Sequence, residues 1–261
     1  PEHGYYSNLD NGDLLEDDNE KLTGIKIISL YGKTKKPLPK HLKDIDVILF
    51  DIQDVGARFY TFISTLHYVM EACAEENIPI IILDRPNPNG HYVDGPVLNL
   101  KYKTFVGMHP VPIVHGMTIG EYAKMINGEG WLKNNIKCDL KVIANRNYTH
   151  KSKYILPIRP SPNLPNNQAI YLYPSLCLLE PTSISVGRGT EKQFQIYGHP
   201  NFPKSNFQFK PKANFGSKNP KWKNQICYGV TLEKIEVPNK IELSWLIDAY
   251  NKIQRNEIFF K

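Results

Sequence analysis

Residues 46–84 read DVILFDIQDVGARFYTFISTLHYVMEACAEENIPIIILD, and the fold turns on how this stretch is interpreted. It opens with the apolar run Asp46 to Asp51 and closes with Pro79 to Asp84. Both are rich in Ile, Val and Leu without polar alternation, the pattern of strands buried on both faces of a parallel sheet. Between them Phe59, Phe62, Ile63, Leu66, Met70 and Cys73 recur at helical spacing, so Ala57 to Glu76 is expected to form an amphipathic helix packed on that sheet. Strand, helix, strand in this order implies a βαβ unit with a right-handed crossover.

The pattern extends outward from this unit. Upstream, Ile25 to Leu30 is expected to add a further parallel strand, and Pro39 to Asp44 a short helical turn. Downstream, Arg85 to Met117 carries prolines at 86, 88, 96, 110 and 112 and glycines at 90, 95, 107 and 116. Such a stretch is a long surface excursion, and excursions of this length inside a domain are commonly functional. Thr118 then N-caps a helix running to about Gly128, with Glu121 at the capping-box position, and Asp139 to Ile143 reads as one more strand. From about Lys151 the character changes. Pro157, Pro160, Pro162 and Pro165 mark a boundary between a domain over 1–150 and a smaller one over 151–261. In the latter, Gln168 to Leu179 and Glu242 to Asn251 are expected as helices. Ile184 to Val186, Gln193 to Tyr197 and Gln225 to Val237 are expected as strands or hairpin arms. The fold class is therefore α/β.

A chain of 261 residues with 41% hydrophobic and 22% charged content can bury one large or two modest cores, which excludes global disorder. No apolar run approaches the roughly 20 residues of a membrane span, so no transmembrane segment is expected. The net charge of +6 is unevenly spread: Asp10, Asp13, Glu16, Asp17, Asp18 and Glu20 crowd the start, and lysines crowd Lys204 to Lys223. Aromatic residues interleave with those lysines, but Pro203, Pro211 and Pro220 break any regular platform. The stretch reads as a solvated, loop-rich face, and no nucleic-acid partner is expected. An anionic cell-wall polymer is compatible with it. Cys73, Cys138, Cys177 and Cys227 lie far apart with no C-x-x-C spacing, so neither a zinc site nor a disulfide scaffold is indicated.

Ligands of open parallel sheets bind outside the carboxyl ends of the strands. Here those ends carry Asp51, Gln53, Asp54 and Arg58 after one strand, and Asp84, Arg85, Asn87 and Asn89 after the next, which would border one cleft suited to a polyhydroxylated, partly anionic ligand. Simpler structural roles stand beside this: Asp51 and Asp54 as helix caps, Arg85 paired with Asp84, and Asn89-Gly90 as a turn. No G-x-G-x-x-G, G-x-x-x-x-G-K-[ST] or G-x-S-x-G occurs, and His109 and His115 lack metal-ligand spacing. Acid–base work by carboxylates remains. Glycoside hydrolysis needs an acid and a second group, and Glu2, set among Pro1, His3 and Gly4, is a candidate acid.

Nine segments in order then carry a resemblance: PEHG at 1–4, DIQDVGARFYT at 51–61, LDRPNPNG at 83–90, DGPV at 94–97, HPVPIVHGMTIGEYA at 109–123, PSPNLP at 160–165, YLYPSLCLLE at 171–180, SVGRGT at 185–190 and GHP at 198–200. The chain resembles the NamZ-type exo-β-N-acetylmuramidases. The resemblance implies a Rossmann-like catalytic domain followed by a smaller α/β (α+β) domain. It also implies release of N-acetylmuramic acid from the non-reducing end of peptidoglycan fragments, with muramyl saccharides as partners. It makes Glu2 the catalytic acid and leaves the second group open between the substrate's acetamido group and Asp51, Asp54 or Asp84. His3, Tyr60, His115 and Asn163 lie in the matched segments and are expected to contact substrate. Members need no cofactor or metal and are exported, so a periplasmic or secreted location is expected. They also extend beyond both ends of this chain, and many have a Gly-rich stretch after PEHG where this chain has Tyr5-Tyr6-Ser7-Asn8. The lactyl carboxylate that marks the muramyl sugar calls for an arginine fork. Arg188, set between glycines, ranks above Arg159 for that role. A non-catalytic muropeptide-binding protein is the alternative.

Overall fold

Residues 46–84 fold as strand, helix and strand, and the helix Ile119–Gly128 and the strand Leu140–Ile143 pack against them. The computed structural model describes residues 16–253 and 258–260, which divide into two compact units between Tyr154 and Ile155. In the first unit β1 (Asp18–Asn19) and β2 (Lys26–Ile27) precede a helical turn α1 (Pro39–Leu42), then β3 (Ile48–Phe50), α2 (Phe62–Glu75), β4 (Ile80–Leu83), α3 (Ile119–Gly128) and β5 (Leu140–Ile143). β3, β4 and β5 form a parallel sheet in that order, with Ile48 opposite Ile80 and Ile80 opposite Leu140. The unit is an α/β fold.

Three expectations about the elements of this unit need correction. Ile25 to Leu30 does not join the parallel sheet: Lys26 and Ile27 pair antiparallel with Asn19 and Asp18. The cause is a tight turn, in which the Glu20 carboxylate accepts hydrogen bonds from Leu22 N, Thr23 N and Thr23 Oγ1, and Gly24 adopts a left-handed φ of +71°. The turn sends the chain back on itself and leaves Ile25 66% exposed.

The strands are also not buried on both faces. Phe50, Ile80 and Ile82 join Ile63, Leu66, Met70 and Cys73 of α2 and Ile119, Tyr122, Ala123 and Ile126 of α3 in one core. On the opposite face Leu49 is 61% exposed and Ile143 46%.

The third correction concerns the start of α2, which lies at Phe62 rather than Ala57. Ala57 is bridged to Val114, and Arg58 N donates to Ile113 O. The long excursion thus pairs with the strand-end loop, and helix begins only after Thr61. α3 starts where expected, with the capping box between Thr118 and Glu121 formed in both directions.

In the second unit α4 (Asn167–Leu176) begins at the Asn166 side chain, which accepts from Ala169 N, and passes into a 3₁₀ turn over Cys177–Leu179. An antiparallel sheet has β8 (Cys227–Thr231) at its centre, flanked by β6 (Ile196–His199) and β7 (Gln208–Phe209), and α5 (Ser244–Lys252) follows. Ile184 to Val186 contributes only a single bridge, Ser185 to Gly198. Phe194, at a left-handed φ of 53°, delays β6 to Ile196. One lysine of the basic stretch is not solvated as expected. Lys221 Nζ donates to the backbone oxygens of Leu179, Glu180, Thr182 and Ile184, and so ties the chain after α4 together.

All four cysteines are free thiols. No helix among the described residues is long and apolar enough to cross a membrane.

Candidate functional site

Three loops leave the carboxyl ends of the parallel sheet or lead into the helix beside it, and side-chain hydrogen bonds stitch them together. After β3, Gly56 takes a left-handed φ of +78°, and a Cβ there would stand 2.3 Å from Asn87 Oδ1. Only glycine lets the loop after β3 press against the loop after β4. Asn87 in turn donates from Nδ2 to Met117 O and accepts Asn89 N at Oδ1, while Asn89 Nδ2 donates to Val55 O. Tyr148 OH brackets the same residue, donating to Asn87 O and accepting Asn87 N. Gln53 Nε2 donates to the carbonyls of Asp54 and Pro86. The Arg58 guanidinium donates to the carbonyls of Pro96 and Val111, which anchors the excursion, and Tyr60 is buried against Phe62. The sequence reading therefore brings together residues that do lie together, but most of them hold one another.

Asp84 is wholly engaged in this framework. Its Oδ1 accepts Gly120 N at 2.8 Å and Arg85 N at 3.0 Å, and its Oδ2 accepts Thr118 Oγ1 at 2.9 Å. It is the anionic partner of the α3 N-terminus, where the helix dipole favours a negative charge. A Cβ at Gly120 would stand 2.8 Å from the Asp84 carboxyl carbon, so the helix can approach only because position 120 is glycine. Arg85 pairs not with Asp84 but with Asp51, through Nε and Nη2 at 2.6 Å each to one oxygen, and both side chains are about half exposed. Neither Asp51 nor Asp54 caps α2.

Asp54 and His115 differ from these neighbours. Asp54 is 4% exposed; its Oδ2 accepts Gly56 N at 2.7 Å and its Oδ1 has no hydrogen-bond partner among the described residues. His115, equally buried, accepts Met117 N at Nδ1, and its Nε2 lies 3.6 Å from Asp54 Oδ2 without a hydrogen bond. The Tyr122 ring packs edge-on against His115 at 4.9 Å. Burial, and then the Asp54 charge, push the Tyr122 phenol well above its ordinary pKa. Behind it His109 Nδ1 meets Tyr122 OH at 3.1 Å, and His109 Nε2 meets His67 Nδ1 at 2.9 Å. His67 Nε2 faces Glu71, which Lys36 and Lys133 N also hold. The sequence reading missed Gly56, Tyr122, Tyr148 and this histidine chain. Tyr122 and His67 look like ordinary helix-face residues until their partners are known. Among the described residues no group of three or more His, Cys, Asp or Glu could hold a metal ion.

In the second unit Arg188 is not free to grip a ligand carboxylate through its fork. Nε and Nη2 both bind the Glu180 carboxylate, at 2.9 Å for the shortest contact, and the guanidinium lies over Phe194. Burial works against the Arg188 charge, and Glu180 more than offsets it. Its flanking glycines serve the backbone: a Cβ at Gly187 would meet Lys192 O, and one at Gly189 would meet Lys212 O. Asn163 donates to Gly216 O, and Arg159 is exposed over Phe215. Glu2 and His3 lie outside the described residues.

Comparison with known proteins places these motifs. Two family models match, the N-terminal model of exo-β-N-acetylmuramidase NamZ over residues 1–168 and its C-terminal model over 171–258. The chain is 46% identical over 205 residues to the peptidoglycan β-N-acetylmuramidase NamZ of Bacillus subtilis (strain 168), a match covering 77% of this chain and 49% of that protein. The chain thus spans about half the length of the curated relative it matches. Two crystal structures of DUF1343 family proteins from Bacteroides fragilis are also similar. One has a TM-score of 0.89 at 51% identity, covering 93% of this chain and 69% of that one. The other has a TM-score of 0.73 at 32% identity, covering 87% and 62%.

Proposed function

The chain belongs to the exo-β-N-acetylmuramidase NamZ family, and on that premise we propose that it is a glycoside hydrolase removing N-acetylmuramic acid from the non-reducing ends of peptidoglycan fragments. The observation that carries this reading is the 46% identity to a peptidoglycan β-N-acetylmuramidase across most of the chain. The strand-end surface of the first unit supports it, because a carboxylate with an unpartnered oxygen sits among loops held rigid by their own side chains. Acid–base catalysis works best from groups fixed in this way. The N-terminal unit is then the catalytic domain, Glu2 is the proton donor, and Asp51 and Asp54 are the protein-borne candidates for the second group. Peptidoglycan-derived saccharides as substrate go with a periplasmic or secreted location.

The lactyl carboxylate needs an arginine, and Arg85 suits it better than Arg188. Asp51 orients the Arg85 guanidinium from one edge, and the Nη1 edge has no partner among the described residues. Replacing Arg85 by Gln is expected to narrow the ratio of turnover on muramyl over glucosaminyl glycosides by about tenfold or more, the loss of one charge-assisted pair. An unchanged ratio excludes Arg85 from that role.

The test of the reading as a whole is incubation of the full-length protein with a chromogenic muramyl glycoside. Release of chromophore is expected, and Glu2→Gln should lower kcat by about 100-fold or more. Tight binding without turnover would instead mark a muropeptide-binding protein.

A further inference from the structure

We infer that Asp54 and His115 act as a matched acceptor and donor for one hydroxyl-type group at the reacting sugar, either a water or a hydroxyl of the sugar itself. The inference rests on the glycosidase reading above and decides between the two carboxylates it leaves open.

Asp51 is the poorer choice. One of its oxygens is taken twice by Arg85, and the pair stands half in solvent. Asp54 is buried, with Oδ2 held by Gly56 N and Oδ1 unpartnered. A buried carboxylate oxygen without a donor is costly, and native structures keep few of them outside functional sites.

The histidine beside it completes the argument. Met117 N donates to His115 Nδ1, so the neutral ring carries its proton on Nε2. His115 therefore cannot take a proton at Nε2; it can only donate there. Its nitrogen lies 3.6 Å from Asp54 Oδ2, too far for a hydrogen bond, and has no other partner among the described residues. A donor and an acceptor thus stand side by side, both unsatisfied. A hydroxyl-type group answers both: its oxygen accepts from His115 Nε2 and its hydrogen goes to Asp54 Oδ1.

The surroundings fix the His115 ring. His115 N donates to Gly56 O, which aligns it with the Asp54 loop, and Tyr122 packs edge-on against the ring. The chain behind Tyr122 can run in only one direction. If Tyr122 O–H donates to His109 Nδ1, then His109 Nε2–H donates to His67 Nδ1, and His67 Nε2–H faces the Glu71 carboxylate. The reverse order would aim a nitrogen lone pair at that carboxylate. Tyr122 and His109 are positioning residues for His115.

The test compares Asp51→Asn, Asp54→Asn, His115→Gln and His115→Phe in the full-length protein on a chromogenic muramyl glycoside. Gln keeps a donor near the Nε2 position, and Phe keeps only the ring. Asp54→Asn is expected to lower kcat/KM by about 100-fold and Asp51→Asn by less than about tenfold. His115→Phe should lower it by about 100-fold, with most of the loss restored in His115→Gln. If the Asp54→Asn loss is all in kcat, the group is the water. If it is in KM, and a substrate lacking one hydroxyl reproduces it, the group is that hydroxyl. Turnover by Asp54→Asn within about threefold of the parent, or equal losses in the two His115 variants, would overturn the inference while leaving the glycosidase reading intact. An inactive parent protein would overturn both. Should His115→Phe fail to fold, ¹⁵N NMR of the parent decides: protonation at Nε2 supports the assignment and protonation at Nδ1 defeats it.

Discussion

At the scale of single residues, the strand-end surface is organised by positions that tolerate nothing larger. Gly56→Ala would put a methyl group 2.3 Å from Asn87 Oδ1 at a left-handed φ, so a loss of about 2 kcal/mol or more is expected in urea unfolding. Turnover should fall with it, because Gly56 N also holds Asp54 Oδ2. Asp84→Ala tests the opposite kind of residue. It leaves Gly120 N and Thr118 without their anion and is expected to cost about 1–3 kcal/mol, while the folded fraction keeps its kcat. The sequence makes the polar cluster visible because strand ends can be counted from apolar runs. It does not separate Asp84 from Asp54. One receives a helix that starts 35 residues later and the other receives no bond at its free oxygen among the described residues, and no local pattern encodes that difference.

Elements were legible in proportion to how local their causes are. The capping box of Thr118 and Glu121 fixes the start of α3, and the Ile, Val and Leu runs locate β3, β4 and β5. The start of α2 was not legible, because Ala57 and Arg58 are drawn into pairing with Val114 and Ile113, more than fifty residues away. Nor does an apolar run reveal how many layers cover it. Adjacent positions of the sheet make the point measurable. Ile82→Ala, on the face under α2 and α3, is expected to cost about 2–5 kcal/mol. Leu49→Thr, on the exposed face, should change stability by less than about 0.5 kcal/mol. A cost above 2 kcal/mol at Leu49 would mean that this face is covered in solution.

For the whole molecule, buried titratable groups make the first unit sensitive to acid. Burial lowers the pKa of His67 from 6.5 to about 4 against the pull of the Glu71 carboxylate, and it lowers that of His109 to about 2 with neighbouring charges adding to the effect. Both rings stay neutral in the fold while the unfolded chain takes up protons. Their contribution is therefore intact above pH 6.5 and declines as the pH falls toward 4, with a limiting slope of about 1.4 kcal/mol per pH unit for each ring. Glu71 follows in a lower window. Burial opposes its charge, but Lys36 and Lys133 N lower its pKa, so its share is present above the ordinary carboxylate range and lost below it. Thermal melts from pH 7 to 4 should show a falling Tm, with a shallower slope in His109→Gln. The four free cysteines add a consequence of another kind. Burial pushes Cys73 to about 11 and Cys138, Cys177 and Cys227 to about 12. None is ionised at neutral pH, and two fall in each unit. A thiol-reactive dye would label the buried Cys73 and Cys138 only when the first unit opens and the buried Cys227 only when the second does, so the chain carries two independent clocks of its breathing without any added probe.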